Sequence, residues 1–258
     1  MTEEKIRLGG MALGNGVLVH GPKSWACAIR TDDGRLHVAS ARKRFRAAEI
    51  ERPLLRGPAR LLEALAIIPE VRRALPEAKL PFQRPAVIAS MLASATVVKL
   101  ARESGRLGPA AQELVAGILS VAPAALALRS SNLAAYHGAE HISIGSYEHG
   151  ERRAKEHERC GSHLLGPLLA TTAIANTFAA RAPAHLRSPA RVAAQIGALA
   201  ASTEIFGWMV RNPDKRLSRA LAKPGHELQH RLATAEPSPA QVEVAEAALA
   251  ACLQLENA

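Results

Sequence analysis

The spacing of apolar and polar positions changes along the chain. Between residues 16 and 40, short apolar runs alternate with polar residues and turns, and Asp33-Gly34 has the composition of a hairpin turn. This pattern predicts a small antiparallel sheet. From Gly57 the apolar period lengthens to that of a helix. One face of this predicted helix contains Leu61, Leu62, Leu65, Ile68 and Val71.

Four long apolar segments follow a proline-rich joint. They cover residues 86 to 101, 110 to 128, 164 to 180 and 192 to 210. Each is about as long as, or slightly shorter than, the ~20 apolar residues that span a bilayer. All four are rich in alanine, and Glu113 and Glu204 interrupt two of them. The pattern favours membrane-embedded helices and leaves a soluble buried bundle open.

The end of the chain has the pattern of an amphipathic helix. Ser238 is a suitable N-cap, Pro239 suits the first helical position, and Gln241 can complete a capping box. An apolar stripe follows at Val242, Ala245, Leu249, Cys252 and Leu253. This helix is expected to be scaffold.

Composition supports a helical protein. Hydrophobic residues make up 48% of the chain and aromatic residues only 3%, which favours close-packed helices over an all-β fold. The predicted fold class is mostly α, a helical bundle embedded in a membrane, with a small N-terminal antiparallel β portion (α+β). The expected division is a glycine-rich β portion at residues 1–56 and a helical portion at residues 57–258.

The formal net charge of +10 suits an anionic partner, either nucleic acid or the cytoplasmic face of a bilayer. Nucleic-acid binding has no strong signature, because the chain has only two Trp, two Tyr and four Phe for stacking on bases. A lipid membrane is the expected partner. Multi-pass membrane localisation with a cytoplasmic N-terminal portion is expected, with a soluble cytoplasmic protein as the alternative.

The motif most suggestive of chemistry is H-x-x-E-H at residues 137 to 141. On a helix, His137 and His141 lie on one face at a separation that allows both to reach one cation, with Glu140 beside them. In metallopeptidases with this order, the histidines bind zinc and the glutamate activates water. A pair of ordinary helix-surface histidines is the alternative.

Three further residues could complete a metal site. Glu204 lies in an apolar segment, where an unpaired carboxylate would be costly unless it met a cation, an arginine or a hydrogen-bond network. On a continuous helix Glu148 would lie about 16 Å from His137, so it could join only if Gly145 broke the helix. Cys160 lies between histidines and a glycine, as a ligand or a reactive thiol would.

Several blocks resemble one family. They are Tyr136-His137-Gly138-Ala139-Glu140-His141, Tyr147-Glu148 and His157-x-Arg159-Cys160-Gly161. These blocks resemble the YqhQ-like family, bacterial membrane proteins of unknown function that are predicted to be metal-dependent enzymes. The resemblance extends nearly from end to end. It implies a small N-terminal β portion, several transmembrane helices and a metal site near the cytoplasmic membrane face.

The leading hypothesis is a metal-dependent enzyme, with hydrolysis as the expected reaction on a small-molecule or peptide substrate. Zinc is the expected ion. The candidate catalytic residues are Glu140 and Cys160, and the candidate metal ligands are His137, His141, Glu204 and Glu148. The rival hypothesis is a non-enzymatic membrane or scaffold protein whose histidines form a polar helix-packing network. A soluble nucleic-acid-binding protein is a third hypothesis.

Overall fold

Four antiparallel strands form the N-terminal part of the fold. A computed structural model describes residues 5–104, 107–128 and 131–258. The strands are β1 (Gly9–Leu13), β2 (Gly16–His20), β3 (Ser24–Arg30) and β4 (Leu36–Arg42), hydrogen-bonded in that order. The predicted sheet and its turn at Asp33-Gly34 are confirmed. Strand β1 is additional, because its glycines are compatible with turns as well as with an edge strand.

Nine helices lie in the described part of the chain after the sheet. They are α1 (Arg56–Leu65), α2 (Ile68–Ala74), α3 (Pro85–Glu103), α4 (Pro109–Leu128), α5 (Ser131–His149), α6 (Leu165–Ala179), α7 (Arg187–Arg211), α8 (Arg216–Leu228) and α9 (Pro239–Asn257). A π-helical turn, Gln229–Ala233, continues α8. The predicted capping box at Ser238 and Gln241 is present at the start of α9.

Strands β2 and β3 are buried on both faces, and their alternate residues point to opposite sides of the sheet. On one side, Val17, Val19 and their neighbours pack against α5 and α9. On the other side, Leu18 and Ile29 pack against Val71 of α2 and the residues around it. The helix that carries the H-x-x-E-H motif is thus supported along one side by the sheet.

The buried Glu256 fixes the end of α9 to the sheet. Its carboxylate accepts hydrogen bonds from the Lys23 amide at 2.8 Å and from the Ser24 hydroxyl at 2.7 Å. Gly21 leaves room for this carboxylate, because a Cβ there would lie 2.5 Å from Glu256 Oε1. The C-terminal end of α9 is therefore held at the turn between β2 and β3.

The four apolar segments form helices, but the prediction of a membrane-embedded bundle is wrong. They correspond to α3, α4, α6 and α7; α3 packs against α4 and α6 against α7. Among the helices that the structure describes, none combines the length and the apolar character needed to cross a bilayer. Helix α6 has only 15 residues. Helix α7 is longer but carries Arg191 and Glu204. The observed fold is mostly helical with a four-stranded antiparallel sheet (α+β).

Candidate metal centre

Two histidines of α5 and one cysteine from the following loop converge on one point. His137 and His141 are one helical turn apart, and their ring centroids are 4.3 Å from each other. Cys160 precedes a short 3-10 turn, Gly161–Leu164, which directs its side chain back toward α5. The three potential ligand atoms all lie within 4.8 Å of one another. This cluster could hold a metal ion.

Backbone carbonyl groups set the tautomer of both histidines. Nδ1 of His137 lies 2.8 Å from the carbonyl oxygen of Ala233, and Nδ1 of His141 lies 2.6 Å from that of Lys155. A carbonyl oxygen only accepts hydrogen bonds, so each Nδ1 carries the proton and donates it. In the neutral imidazole, Nε2 then has a free lone pair. Metal-binding histidines are typically oriented in this way.

Burial and hydrogen bonding act on the protonation of this cluster. Burial, aided by the neighbouring His137, lowers the pKa of His141 to about 2, so its ring stays neutral near pH 7. Burial raises the pKa of the Cys160 thiol, while hydrogen bonds from Ser162 act in the opposite direction. The thiol lies 3.5 Å from Nε2 of His137 and can donate to it. A bound cation would favour the thiolate, which is the form that binds metals.

Glu140 is a buried carboxyl group beside the three ligands. It is only 6% exposed, and its Oε2 has no hydrogen-bond partner among the residues that the structure describes. Burial raises the pKa of Glu140 to about 7. Gly10 of β1 leaves space for the carboxyl group, because a Cβ at Gly10 would lie 2.4 Å from Glu140 Oε1. A buried polar atom without a protein partner can be satisfied by a bound ion, a water molecule or a substrate.

The comparisons with known proteins place this site in an uncharacterised family. The model of DUF1385, a protein of unknown function, matches residues 126–255, about half of the chain. The chain belongs to the DUF1385 family. All three clustered ligands and Glu140 lie in the DUF1385 region. Searches of curated proteins and of solved structures find no match.

Glu148 also lies in the DUF1385 region but is not in the three-residue cluster. Helix α5 continues through Gly145 to His149, so Glu148 stays about three turns from His137. Its carboxylate forms an ion pair with Arg159 and accepts a hydrogen bond from His157 Nε2 at 3.2 Å. Nδ1 of His157 in turn accepts the Arg159 amide at 3.2 Å. Glu148 therefore orders the loop that leads to Cys160.

Glu204 is held by an arginine. The guanidinium of Arg56 forms a two-pronged ion pair with the Glu204 carboxylate, and the Leu54 amide donates to it at 3.1 Å. Gly57 allows this close approach of α1 to α7, because a Cβ there would lie 2.1 Å from the Thr203 hydroxyl oxygen. An arginine partner was the alternative considered for this carboxylate, and in this position Glu204 joins α1 to α7.

We expect the Glu204→Gln variant to lose stability and to bind divalent metal ions as the wild type does, because Glu204 is not in the cluster. Arg56 lowers the pKa of Glu204 below its ordinary value of 4.5. The ion pair therefore stabilises the fold fully above pH 4.5, and this stabilisation is lost as the pH falls through the lowered pKa. At pH 7 the melting temperature of the variant should be lower by roughly 2–4 °C. Well below pH 4.5 the difference should disappear. Weaker metal binding with unchanged stability would instead make Glu204 a ligand.

The partners of the ligands were not apparent in the sequence. Lys155 and Ala233 act through their backbone carbonyl groups, which carry no residue-specific signal. Gly138 was visible within the motif, and its role is steric: a Cβ there would lie 2.2 Å from the Ala235 carbonyl oxygen. Gln229, which is fully buried, also has no signal in a single sequence.

Proposed function

We propose that this DUF1385 protein is a zinc-dependent enzyme that catalyses a hydrolysis. One observation carries the proposal: two histidines whose Nε2 atoms carry no proton and a cysteine thiol bring their ligand atoms within 4.8 Å of one another. The narrower YqhQ-like assignment, with its expectation of a metal-dependent enzyme, agrees with this proposal.

The chemistry of the donor set favours zinc. Imidazole and thiolate are the ligands that zinc prefers, and three protein ligands with a fourth open position are typical of catalytic rather than structural zinc sites. Such an ion lowers the pKa of a bound water to about 7 and polarises the substrate. His137 is only partly buried, which leaves a side of the cluster from which a substrate could approach.

Glu140 supports the catalytic interpretation. Burial raises the pKa of Glu140 above that of an exposed carboxyl group, as in other carboxylates that act as general bases near neutral pH. Glu140 occupies the glutamate position of H-x-x-E-H. In metallopeptidases with this motif, that glutamate activates the metal-bound water. The Oε2 atom of Glu140 is buried and has no hydrogen-bond partner among the described residues, so its hydrogen-bonding capacity is unused. Either a peptide or a small molecule would fit this chemistry.

The rival is a packing network without a metal. Polar groups in such a network satisfy one another, but the Glu140 carboxyl group has an oxygen without a partner in the described structure. The contact between Cys160 and His137 is long, at 3.5 Å, and a thiol is a weak donor. A shared cation would stabilise Glu140, Cys160 and His137 more than their present contacts with one another do.

We expect the purified protein to contain about one zinc ion per chain. The His137→Ala, His141→Ala double variant should contain almost none, because it loses two of the three donors. Elemental analysis after removal of loosely bound metal provides the measurement. Substrate screening with peptide and ester libraries would follow for the zinc-loaded protein.

A matched double variant separates ligand loss from a general loss of histidines. His37 lies on β4 and His185 in the short turn before α7, and neither is in the cluster. The His37→Ala, His185→Ala variant should keep its zinc. Absence of zinc from the wild-type protein, together with a folded His137→Ala, His141→Ala variant, would support the packing network instead.

A further inference from the structure

One buried side chain connects the two backbone segments that orient the histidines. Gln229 is fully buried and is the first residue of the π-helical turn Gln229–Ala233. Single π-helical turns are rare and frequently occur at functional sites. The turn lies between α8 and the extended residues that lead to α9. Its last residue, Ala233, provides the carbonyl group that binds His137 Nδ1.

The side chain of Gln229 binds the loop that contains Cys160. Its Oε1 accepts the His157 amide at 2.9 Å. Its Nε2 lies 2.7 Å from the Ser162 hydroxyl, 3.3 Å from the His157 carbonyl oxygen and 3.3 Å from His163 Nδ1. These contacts lie on both sides of Cys160 in the sequence. The amide group therefore fixes the two ends of the short segment that presents the thiol.

The backbone of Gln229 fixes the other segment. Its carbonyl oxygen accepts two hydrogen bonds from Thr234, from the amide at 3.1 Å and from the hydroxyl at 3.0 Å. This closes the π-helical turn and determines where the Ala233 carbonyl group points. Next to it, the Ala235 amide donates to the Ala134 carbonyl oxygen of α5 at 2.9 Å. The turn is therefore attached to the helix that carries both histidines.

We infer that Gln229 is a positioning residue of the metal centre, which holds the Cys160 loop through its side chain and the Ala233 carbonyl group through its backbone. This inference rests on the proposed zinc site and adds a residue that the H-x-x-E-H motif does not contain. Gln229 is not one of the three candidate ligands, and its side chain would not contact the ion. Its effect is on how well the three ligands fit one cation.

Two substitutions test the inference. Gln229→Met keeps the length of the side chain and removes all of its hydrogen bonds, whereas Gln229→Glu keeps an oxygen for the His157 amide. Loss of such outer-layer partners typically weakens metal binding by 10- to 100-fold. We expect roughly this loss for Gln229→Met and a smaller loss for Gln229→Glu. Competition with a chromophoric chelator would measure zinc affinity.

A spectroscopic readout distinguishes positioning from general destabilisation. Cobalt(II) in place of zinc reports the ligand geometry through its visible bands, and we expect these bands to shift in Gln229→Met. Gln195→Met is the matched control, because its amide bonds Asn176 at 3.0 Å in the α6 and α7 hairpin. The control should keep the wild-type zinc affinity and cobalt spectrum.

The outcomes separate the two proposals. A wild-type protein that binds no zinc overturns the zinc site and with it this inference. A wild-type protein that binds zinc, with a folded Gln229→Met variant of equal affinity and identical cobalt spectrum, overturns the role of Gln229 alone. If neither Gln229 variant folds, hydrogen exchange of the metal-free wild type decides. The inference requires slow exchange of the His157 amide, and exchange at the rate of an unprotected amide contradicts it.

Discussion

The Gly138→Ala variant is expected to be less stable by about 3 kcal/mol and to lose the zinc proposed for the metal centre. The added Cβ would lie 2.2 Å from the Ala235 carbonyl oxygen, a backbone atom that cannot rotate away. To relieve this overlap, the chain at Ala235 must move away from α5. The neighbouring Ala233 carbonyl group would then leave His137. Urea unfolding and elemental analysis measure the two effects.

The control for Gly138 is another helical glycine. Gly197 lies on an exposed part of α7, and a Cβ there would meet nothing within 4 Å. Replacing glycine by alanine in such a helix position normally stabilises it by about 0.5–1 kcal/mol. Gly197→Ala should therefore be at least as stable as the wild type and keep its zinc. A Gly138→Ala variant that behaves like Gly197→Ala would contradict the packing of Ala235 on α5.

The second large effect is expected for Cys160→Ser. A hydroxyl group is a much poorer ligand than a thiolate for zinc, so zinc affinity should fall by more than the roughly 100-fold that loss of an outer-layer partner can cause. In the cobalt(II) form, the near-ultraviolet charge-transfer band of the thiolate should disappear. The two histidines remain, so weak metal binding should persist.

Cys252→Ala is the matched cysteine control. Cys252 is buried in α9 and its thiol lies 3.5 Å from the Ser24 hydroxyl, among residues that do not contain the metal ligands. This variant should lose stability through a small cavity but keep the cobalt charge-transfer band. A band that survives in Cys160→Ser would remove Cys160 from the ligand set.

The parts of the fold that follow from local periodicity could be predicted. The alternation before Arg42 predicts three of the four strands, and the apolar segments predict the helices α3, α4, α6 and α7. The Ser238 capping box is a local pattern and is found as expected. The relation of His137 to His141 follows from helix geometry alone. Each of these inferences depends on residues that are close in sequence.

The parts that could not be predicted depend on distant residues. Whether an apolar helix crosses a membrane depends on length and on interruptions, and short, alanine-rich segments gave the wrong answer here. The partner of Glu204 is Arg56, 148 residues away, and no pattern connects the two. The carbonyl groups that orient the histidines have no residue identity, so only the folded chain shows them. The role of Gln229 likewise depends on contacts with residues that are distant in the sequence.

The Ala233 carbonyl group that binds His137 lies 96 residues further along the chain. During synthesis, a chain that already contains the H-x-x-E-H motif and Cys160 still lacks the Ala233 carbonyl group that orients His137. Contacts of such large sequence separation form late, because long loops must close first. The proposed metal centre would therefore be completed only after Ala233 has been synthesised. If the proposed zinc site forms, uptake of zinc by the nascent chain would thereby be disfavoured, and a bound ion would mark a molecule in which the Ala233 segment has reached α5.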